Sequence, residues 1–129
     1  MTTRKILLAL AVVTLLAVVA GRLFFRHRPD LKNTPPELVG TWTTDHPGYS
    51  DRYVELKPDT IIFGTGGTSF VLYTILGVDR DPSAQIDGYT IYFRDAGGNR
   101  FQKDIVLRQD GATFYFKNQA DVIWTHLDR

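Results

Sequence analysis

The fold class is decided by residues 85–117, QIDGYTIYFRDAGGNRFQKDIVLRQDGATFYFK. Three runs of alternating apolar and polar residues lie in this stretch, and turn-forming residues separate them at 96–99 and at 110–111. Alternation with a period of two is typical of a β-strand with one buried face, and short breaks that contain glycine are typical of hairpins. The stretch therefore predicts three consecutive antiparallel strands.

Five further strands are predicted by the same alternation outside this stretch. They lie at 38–43, 52–56, 60–63, 69–78 and 121–127. Turn residues separate them, and no window among them has the 3.6-residue period of a helix. Because short connections favour antiparallel neighbours, the prediction for residues 38–129 is an all-β, up-and-down meander of about eight strands. The meander forms either a barrel or a compact sandwich.

The core is predicted from the alternation within each strand. Counting every second residue places on the inner face Val54, Leu56, Phe70, Leu72, Leu76, Val78, Tyr89, Ile91, Phe93, Ile105, Leu107, Phe114, Phe116, Val122 and Trp124. The strand at 69–78 is unusual because its other face is also apolar, and several residues of neighbouring strands add to that face.

This second apolar face has three interpretations. Both faces of the strands are covered, an apolar patch is left for a partner, or the aromatic residues are scattered over the surface. The partner interpretation predicts a binding surface formed by Val71, Tyr73, Ile75, Tyr92 and Tyr115. Ile123 and Leu127 lie on the same predicted face.

An apolar segment precedes the β-domain. Residues 6–21, ILLALAVVTLLAVVAG, carry no charge, and residues 23–25 continue the apolar run beyond Arg22. A helix of about twenty such residues crosses the hydrocarbon core of a bilayer. We predict a single-pass transmembrane signal-anchor helix over 6–25, preceded by a basic N-terminal tail at 1–5. Its predicted membrane-interface residues are Arg22, Phe24, Phe25, Arg26 and Arg28.

A cleaved signal peptide is the alternative for this segment. Arg4 and Lys5 form a basic start, and Val18-Val19-Ala20 offers small residues at a cleavage position, but basic and apolar residues follow at once.

The sequence features that predict the side of the membrane on which the β-domain lies point in opposite directions. Four basic residues after the segment favour a cytoplasmic domain, whereas a short tail before a signal-like run favours export. We predict an extracytoplasmic domain, in the periplasm or at the cell exterior.

Charge is distributed unevenly along the chain. Residues 1–35 carry six basic residues and one acidic residue, a net charge of +5, and the other nine basic and thirteen acidic residues give the rest −4. Residues 26–37, RHRPDLKNTPPE, are polar and contain three prolines, which predicts a spacer between membrane and domain. A net negative domain does not favour nucleic acid, whose recognition needs a basic groove.

The start of the domain, Leu38-Val39-Gly40-Thr41-Trp42, resembles the opening of a calycin-type barrel, the group of lipocalins, fatty-acid-binding proteins and avidins. The resemblance implies that Gly40 and Trp42 belong to a Gly-x-Trp signature whose tryptophan plugs the closed end of the barrel. Many such barrels place an arginine of the last strand over that tryptophan, and the only candidate here is Arg129, which lies two residues past the last predicted strand. Trp124 completes the proposed structural signature.

The resemblance also implies binding of a small apolar ligand inside the barrel. About ninety residues spread over eight strands give short strands, however, and a short barrel encloses little space. The expectation is therefore a barrel that is filled by its own aromatic side chains.

Chemistry-bearing motifs are few. The chain has no cysteine, which excludes disulfides, thiol nucleophiles and cysteine-ligated metals. Asp45, His46 and Asp51 are close in sequence and form the one loop considered for a minor metal or enzyme site. His126 shares a face with Trp124 and is interpreted as a hydrogen-bonded edge residue. The glycines at 64–67 precede a strand rather than a helix, so they predict a β-turn and not a phosphate loop.

Two functions of different class follow from these features. The first is a membrane-anchored, non-catalytic protein-interaction module, an accessory subunit of a membrane protein complex. The second is a tethered or secreted binder of a small apolar ligand in a calycin-like barrel. A metal or enzyme site at 45–51 is a minor third. We predict that the protein is not an enzyme, uses no cofactor, and contacts a membrane protein and the bilayer.

Overall fold

The computed structural model describes residues 28–81 and 87–127. A short 3-10 helix at Pro36–Leu38 precedes eight strands. The strands are β1 Gly40–Thr43, β2 Tyr53–Leu56, β3 Thr60–Gly66, β4 Ser69–Asp81, β5 Asp87–Arg94, β6 Arg100–Leu107, β7 Thr113–Phe116 and β8 Trp124–His126. Each pairs antiparallel with its neighbour in sequence, and β1 pairs with β8 to close a barrel. The predicted eight-stranded antiparallel meander is confirmed, and it forms a barrel and not a sandwich.

Residues 85–117 contain two hairpin turns, and each turn begins with an aspartate that accepts hydrogen bonds from residues of the same turn. Asp95 accepts hydrogen bonds from the backbone N–H and the side-chain amide of Asn99, both at 2.9 Å. Asp110 accepts from the backbone N–H of Ala112 at 2.9 Å and from Thr113. These hydrogen bonds lower the pKa of both carboxyl groups. The turns therefore stabilise the register that the alternating strands require.

One end of the barrel, here called the closed end, is filled by apolar side chains. Leu38, Trp42, Leu56 and Phe114 are fully buried there. The indole N–H of Trp42 donates to the backbone carbonyl of Leu38 at 3.0 Å, and its ring meets that of Phe114 edge to face, with centroids 4.7 Å apart. Trp42 thus satisfies its one polar atom while its ring fills the space between the first and last strands.

Gly40 lets the last strand approach the first. Its φ is +139°, which side chains other than glycine rarely adopt, and a Cβ there would lie 2.2 Å from Nε2 of His126. That nitrogen donates to the carbonyl of Val39 at 3.0 Å, and the imidazole packs edge to face on Trp42. The ring that covers Trp42 in the described residues is therefore an imidazole. Arg129, expected from the resemblance to lie there, is outside the described residues.

Strand β4 faces the core differently from the prediction. The pairing of β4 with β5 shifts by one residue between Ile75 and Gly77, which is a β-bulge. Val78 is inward beyond the bulge, whereas before it the inward side chains are Val71, Tyr73 and Ile75. Because one extra residue reverses the alternation, the predicted core positions Phe70 and Leu72 are wrong, and they are 57% and 52% exposed. Leu76, also predicted as core, is only half-buried.

The residues predicted as a spacer lie largely against the barrel, and residues 29–38 are here called the strap. Leu31 exchanges two backbone hydrogen bonds of 2.8 Å with Val78, and the backbone N–H of Asp30 donates to Asp79 at 2.8 Å. Glu37 accepts from the Tyr89 hydroxyl at 2.7 Å, and burial together with this bond raises the pKa of Tyr89. The strap therefore docks at the closed end and shortens any free linker.

Several sequence-based predictions concern residues 1–27, which lie outside the described residues. The predicted anchor at 6–25 and the interface residues Arg22, Phe24, Phe25 and Arg26 belong to that part, whereas Arg28 is described and exposed. Within residues 28–81 and 87–127, no helix has the length and apolar character to cross a membrane.

Candidate functional site

A cavity of about 560 Å³ occupies the end of the barrel opposite the closed end. Its wall is mainly aromatic, from Phe63, Tyr73, Phe93, Phe101, Phe116 and Trp124. The expectation of a barrel filled by its own side chains is thus correct at the closed end and wrong at this one. The reason is unequal strand length, since β4 has thirteen residues and β8 has three. The long strands extend past the filled layer and enclose further space.

The aromatic rings of the cavity touch one another across three strands. Tyr73 of β4, Phe93 of β5 and Phe101 of β6 have ring centroids 4.9 to 5.7 Å apart. Phe63 of β3 adds a contact of 5.8 Å with Tyr73. Within the described strands, residues 69–73 of β4 pair only with β3, because the pairing with β5 begins at Thr74. The rings therefore form a continuous apolar wall where β4 extends past the end of β5.

Two cationic side chains line the same cavity. Lys103 follows Phe101 and precedes Ile105 on the inward face of β6, and its Nζ lies 5.7 Å from the centroid of the Phe116 ring. Arg52 comes from the β1–β2 loop and stacks over Tyr49 at 5.1 Å. Among the described residues, no carboxylate forms a salt bridge with Lys103. The cavity therefore carries positive charge on an apolar wall.

Trp124 contributes a buried hydrogen-bond donor without a partner. The residue is 4% exposed and lines the cavity, and its Nε1 has no acceptor among the described groups. A buried donor that lacks an acceptor costs about 1–3 kcal/mol, so such groups in folded proteins usually bind water or a ligand. The sequence predicted Trp124 only as a structural core residue, because alternation shows burial but not the direction of an indole N–H.

The five residues predicted to bind a partner do not lie on one surface. Val71 and Tyr73 line the cavity, and Ile75 is buried in the core. Tyr92 and Tyr115 are half-buried on the outer face of the barrel. The Tyr92 hydroxyl donates to Asp79 at 2.9 Å, and burial together with this hydrogen bond raises the pKa of Tyr92 to about 12. The bulge in β4 separates the set, and sequence periodicity does not show a bulge.

The loop considered for a metal site does not gather its ligands. Nδ1 of His46 accepts from the backbone N–H of Gly48 at 3.2 Å, and Nε2 lies 3.8 Å from Asp121 of the β7–β8 loop. The carboxylate of Asp51 lies beside Gly66 of β3 instead. In the part of the chain that the structure describes, no group of three or more His, Asp or Glu side chains could hold a metal ion.

The functional groups of the cavity are mainly aromatic rings. Its described lining contains no Ser, Cys, His, Asp or Glu, and its hydroxyl groups come from Thr65, Tyr49, Tyr53 and Tyr73. It offers aromatic faces, an ammonium group, a guanidinium group and an indole N–H. No protein-family model, no curated protein and no solved structure matches the chain.

Proposed function

We propose that the barrel binds a small, largely apolar organic molecule in the cavity. The observation that carries the proposal is the open, aromatic-walled space of about 560 Å³. Sites for small molecules are concave, mostly apolar, and enclose roughly 300–1,000 Å³. An apolar molecule that displaces water from this aromatic wall is bound more tightly, because burial of apolar surface contributes about 25 cal/mol of favourable binding free energy per Å².

The proposed entry route lies where β4 extends past the end of β5. Residues 69–73 of β4 have no partner on the β5 side among the described strands, so movement there breaks no ladder hydrogen bond between β4 and β5. Tyr73 and Phe101 are in contact at this place, with centroids 5.5 Å apart. Movement of two half-exposed rings is fast compared with opening of a packed core. Access therefore requires no change in the closed end.

A matched pair of substitutions tests binding. Val71→Trp places a large ring inside the cavity, whereas Leu72→Trp places it on the outer face of the same strand. Both positions are exposed, at 41% and 52%, so neither change disturbs the filled core. We expect Val71→Trp to weaken binding of the neutral fluorescent probe N-phenyl-1-naphthylamine by about tenfold or more, and Leu72→Trp to leave it within about twofold.

The measurement is fluorescence titration of the probe into the full chain, with circular dichroism to show that both variants fold. Equal affinity in both variants would place the probe outside the cavity and contradict the proposal. The proposal would also be contradicted if the probe did not bind the unaltered protein at any concentration up to the solubility limit of the probe.

The second candidate function is the protein-interaction module of a membrane complex. It is supported by Phe70 and Leu72, two neighbouring side chains on the outer side of β4 that are more than half exposed. We expect Phe70→Asp combined with Leu72→Asp to abolish stoichiometric co-purification of a membrane protein from detergent extracts, without unfolding the barrel. Retention of that protein by the variant would exclude this surface.

The predicted anchor at 6–25 belongs to both candidates and is itself a proposal. It is supported by the uncharged run in the sequence, and a location of the barrel in the periplasm or at the cell exterior is proposed with it. Since the strap docks at the closed end, only residues 26–28 separate such an anchor from the barrel. The closed end would then face the bilayer, and the cavity would face away from it.

A further inference from the structure

We propose that the ligand of the cavity is an organic anion, with an apolar body against the aromatic wall and one carboxylate-like group bound by Lys103. This inference rests on the proposed ligand-binding function and adds the class of ligand to it. Three features of the cavity support it, namely the position of Lys103, the charge of the lining and the unsatisfied donor of Trp124.

The position of Lys103 is the first feature. In β6, Phe101, Lys103, Ile105 and Leu107 alternate on the inward face, so the lysine occupies a position that the pattern reserves for an apolar side chain. Its ammonium group lies over the ring of Phe116 and has no carboxylate partner among the described residues. An ammonium group near apolar walls is stabilised most by an anion that shares the site.

The charge of the lining is the second feature. Lys103 and Arg52 are its two charged side chains, and none of the described lining residues is acidic. The rest of the domain has the opposite sign, since residues 36–129 carry a net charge of −4. A cationic lining within a domain of net negative charge favours anions at this site.

The unsatisfied donor of Trp124 is the third feature. Lys103 and Trp124 both pack against Phe116, with the ammonium nitrogen 5.7 Å and the indole ring 6.2 Å from its centroid. The three residues lie on the adjacent strands β6, β7 and β8. The indole N–H needs an acceptor, and a carboxylate or sulfonate has several oxygens. In the proposed complex, the anionic group bound by Lys103 also accepts a hydrogen bond from this indole N–H, which becomes accessible when the Trp124 ring moves.

The test compares two probes that differ by one sulfonate group. N-phenyl-1-naphthylamine is neutral, and 1-anilinonaphthalene-8-sulfonate has the same ring system with one sulfonate. We expect the protein to bind the sulfonate about tenfold more tightly, and we expect Lys103→Met to abolish that preference while Lys103→Arg retains it. Lys57→Met is the matched control, because Lys57 lies in the β2–β3 turn at the closed end.

A second variant addresses the indole donor. Trp124→Phe keeps an aromatic ring in the wall and removes the N–H, so it should weaken the sulfonate about fivefold and the neutral probe less. Competition then distinguishes the two sources of the anion. Displacement of the probe by dodecanoate but not by dodecanol indicates an aliphatic acid, and displacement by 2-naphthoate but not by 2-naphthol indicates an aromatic acid.

The outcomes separate this inference from the proposed function. Equal affinity for both probes, unchanged in Lys103→Met, overturns the anion preference while binding in the cavity stands. Failure of both probes to bind overturns the proposed function and the inference with it. An equal loss of preference in Lys57→Met would show a general surface charge effect and would also overturn the role of Lys103.

Discussion

Replacement of Trp42 by alanine is expected to destabilise the barrel by about 3–5 kcal/mol, which is the range for removal of a buried tryptophan. The side chain is fully buried, and its indole N–H donates to the carbonyl of Leu38. Alanine would leave a cavity between β1 and β8 and would also leave that carbonyl without its donor. Because domains of this size are stable by only about 5–15 kcal/mol, the loss takes a large part of the total.

Urea unfolding followed by circular dichroism measures this loss. Phe70→Ala is the matched control, since it removes an aromatic ring of β4 that is 57% exposed, and we expect it to change stability by less than about 1 kcal/mol. A similar loss in both variants would mean that Trp42 does not hold the closed end together.

Replacement of Gly40 by alanine is expected to cost about 2–4 kcal/mol for two separate reasons. A residue with a side chain is strained at a φ of +139°, and its Cβ would collide with the imidazole of His126. Moving that imidazole would break its hydrogen bond to Val39 and its contact with Trp42. One methyl group therefore disturbs the pairing that closes the barrel.

A double-mutant cycle separates the two reasons. In a His126→Ala background the collision is absent but the backbone strain remains, so Gly40→Ala should cost less there than in the unaltered protein. Gly97→Ala is the control at a position where a Cβ meets nothing nearer than 3.4 Å. If Gly40→Ala lowers the free energy of unfolding equally in both backgrounds, backbone strain alone explains why glycine is required at position 40.

Both expectations concern the Gly-x-Trp stretch, which resembles the opening of a calycin-type barrel. The structure supplies a physical reason for each position, because Gly40 admits the ring of His126 and Trp42 fills the space beneath that ring. The sequence indicated the two residues but not their partner. His126 is 87 residues away from Val39 along the chain, and such a contact depends on closure of the barrel.

The candidate site was predicted less well than the fold. Sequence periodicity identified Phe93 and Phe116 as inward residues, which is correct, but it assigned Val71 and Tyr73 to an outer surface. Lys103 was not among the predicted site residues, although the alternation of β6 places this lysine between Phe101 and Ile105 on one face. A charged residue at an inward position was the available signal for the site.

The sequence by itself determined the number, order and antiparallel pairing of the strands, because alternation and turn chemistry are local properties. The run between the predicted turns at 96–99 and 110–111 forms β6, and the turns at Asp95 and Asp110 form as expected. Only the tertiary structure decided that the meander closes into a barrel, that a bulge at Ile75–Gly77 reverses one face of β4, and that the strap docks at the closed end. It also decided that a cavity lies at the end opposite the closed end, since that volume depends on how strands of unequal length meet around the barrel. These outcomes arise from contacts between residues that are distant along the chain, and a local pattern carries no information about them.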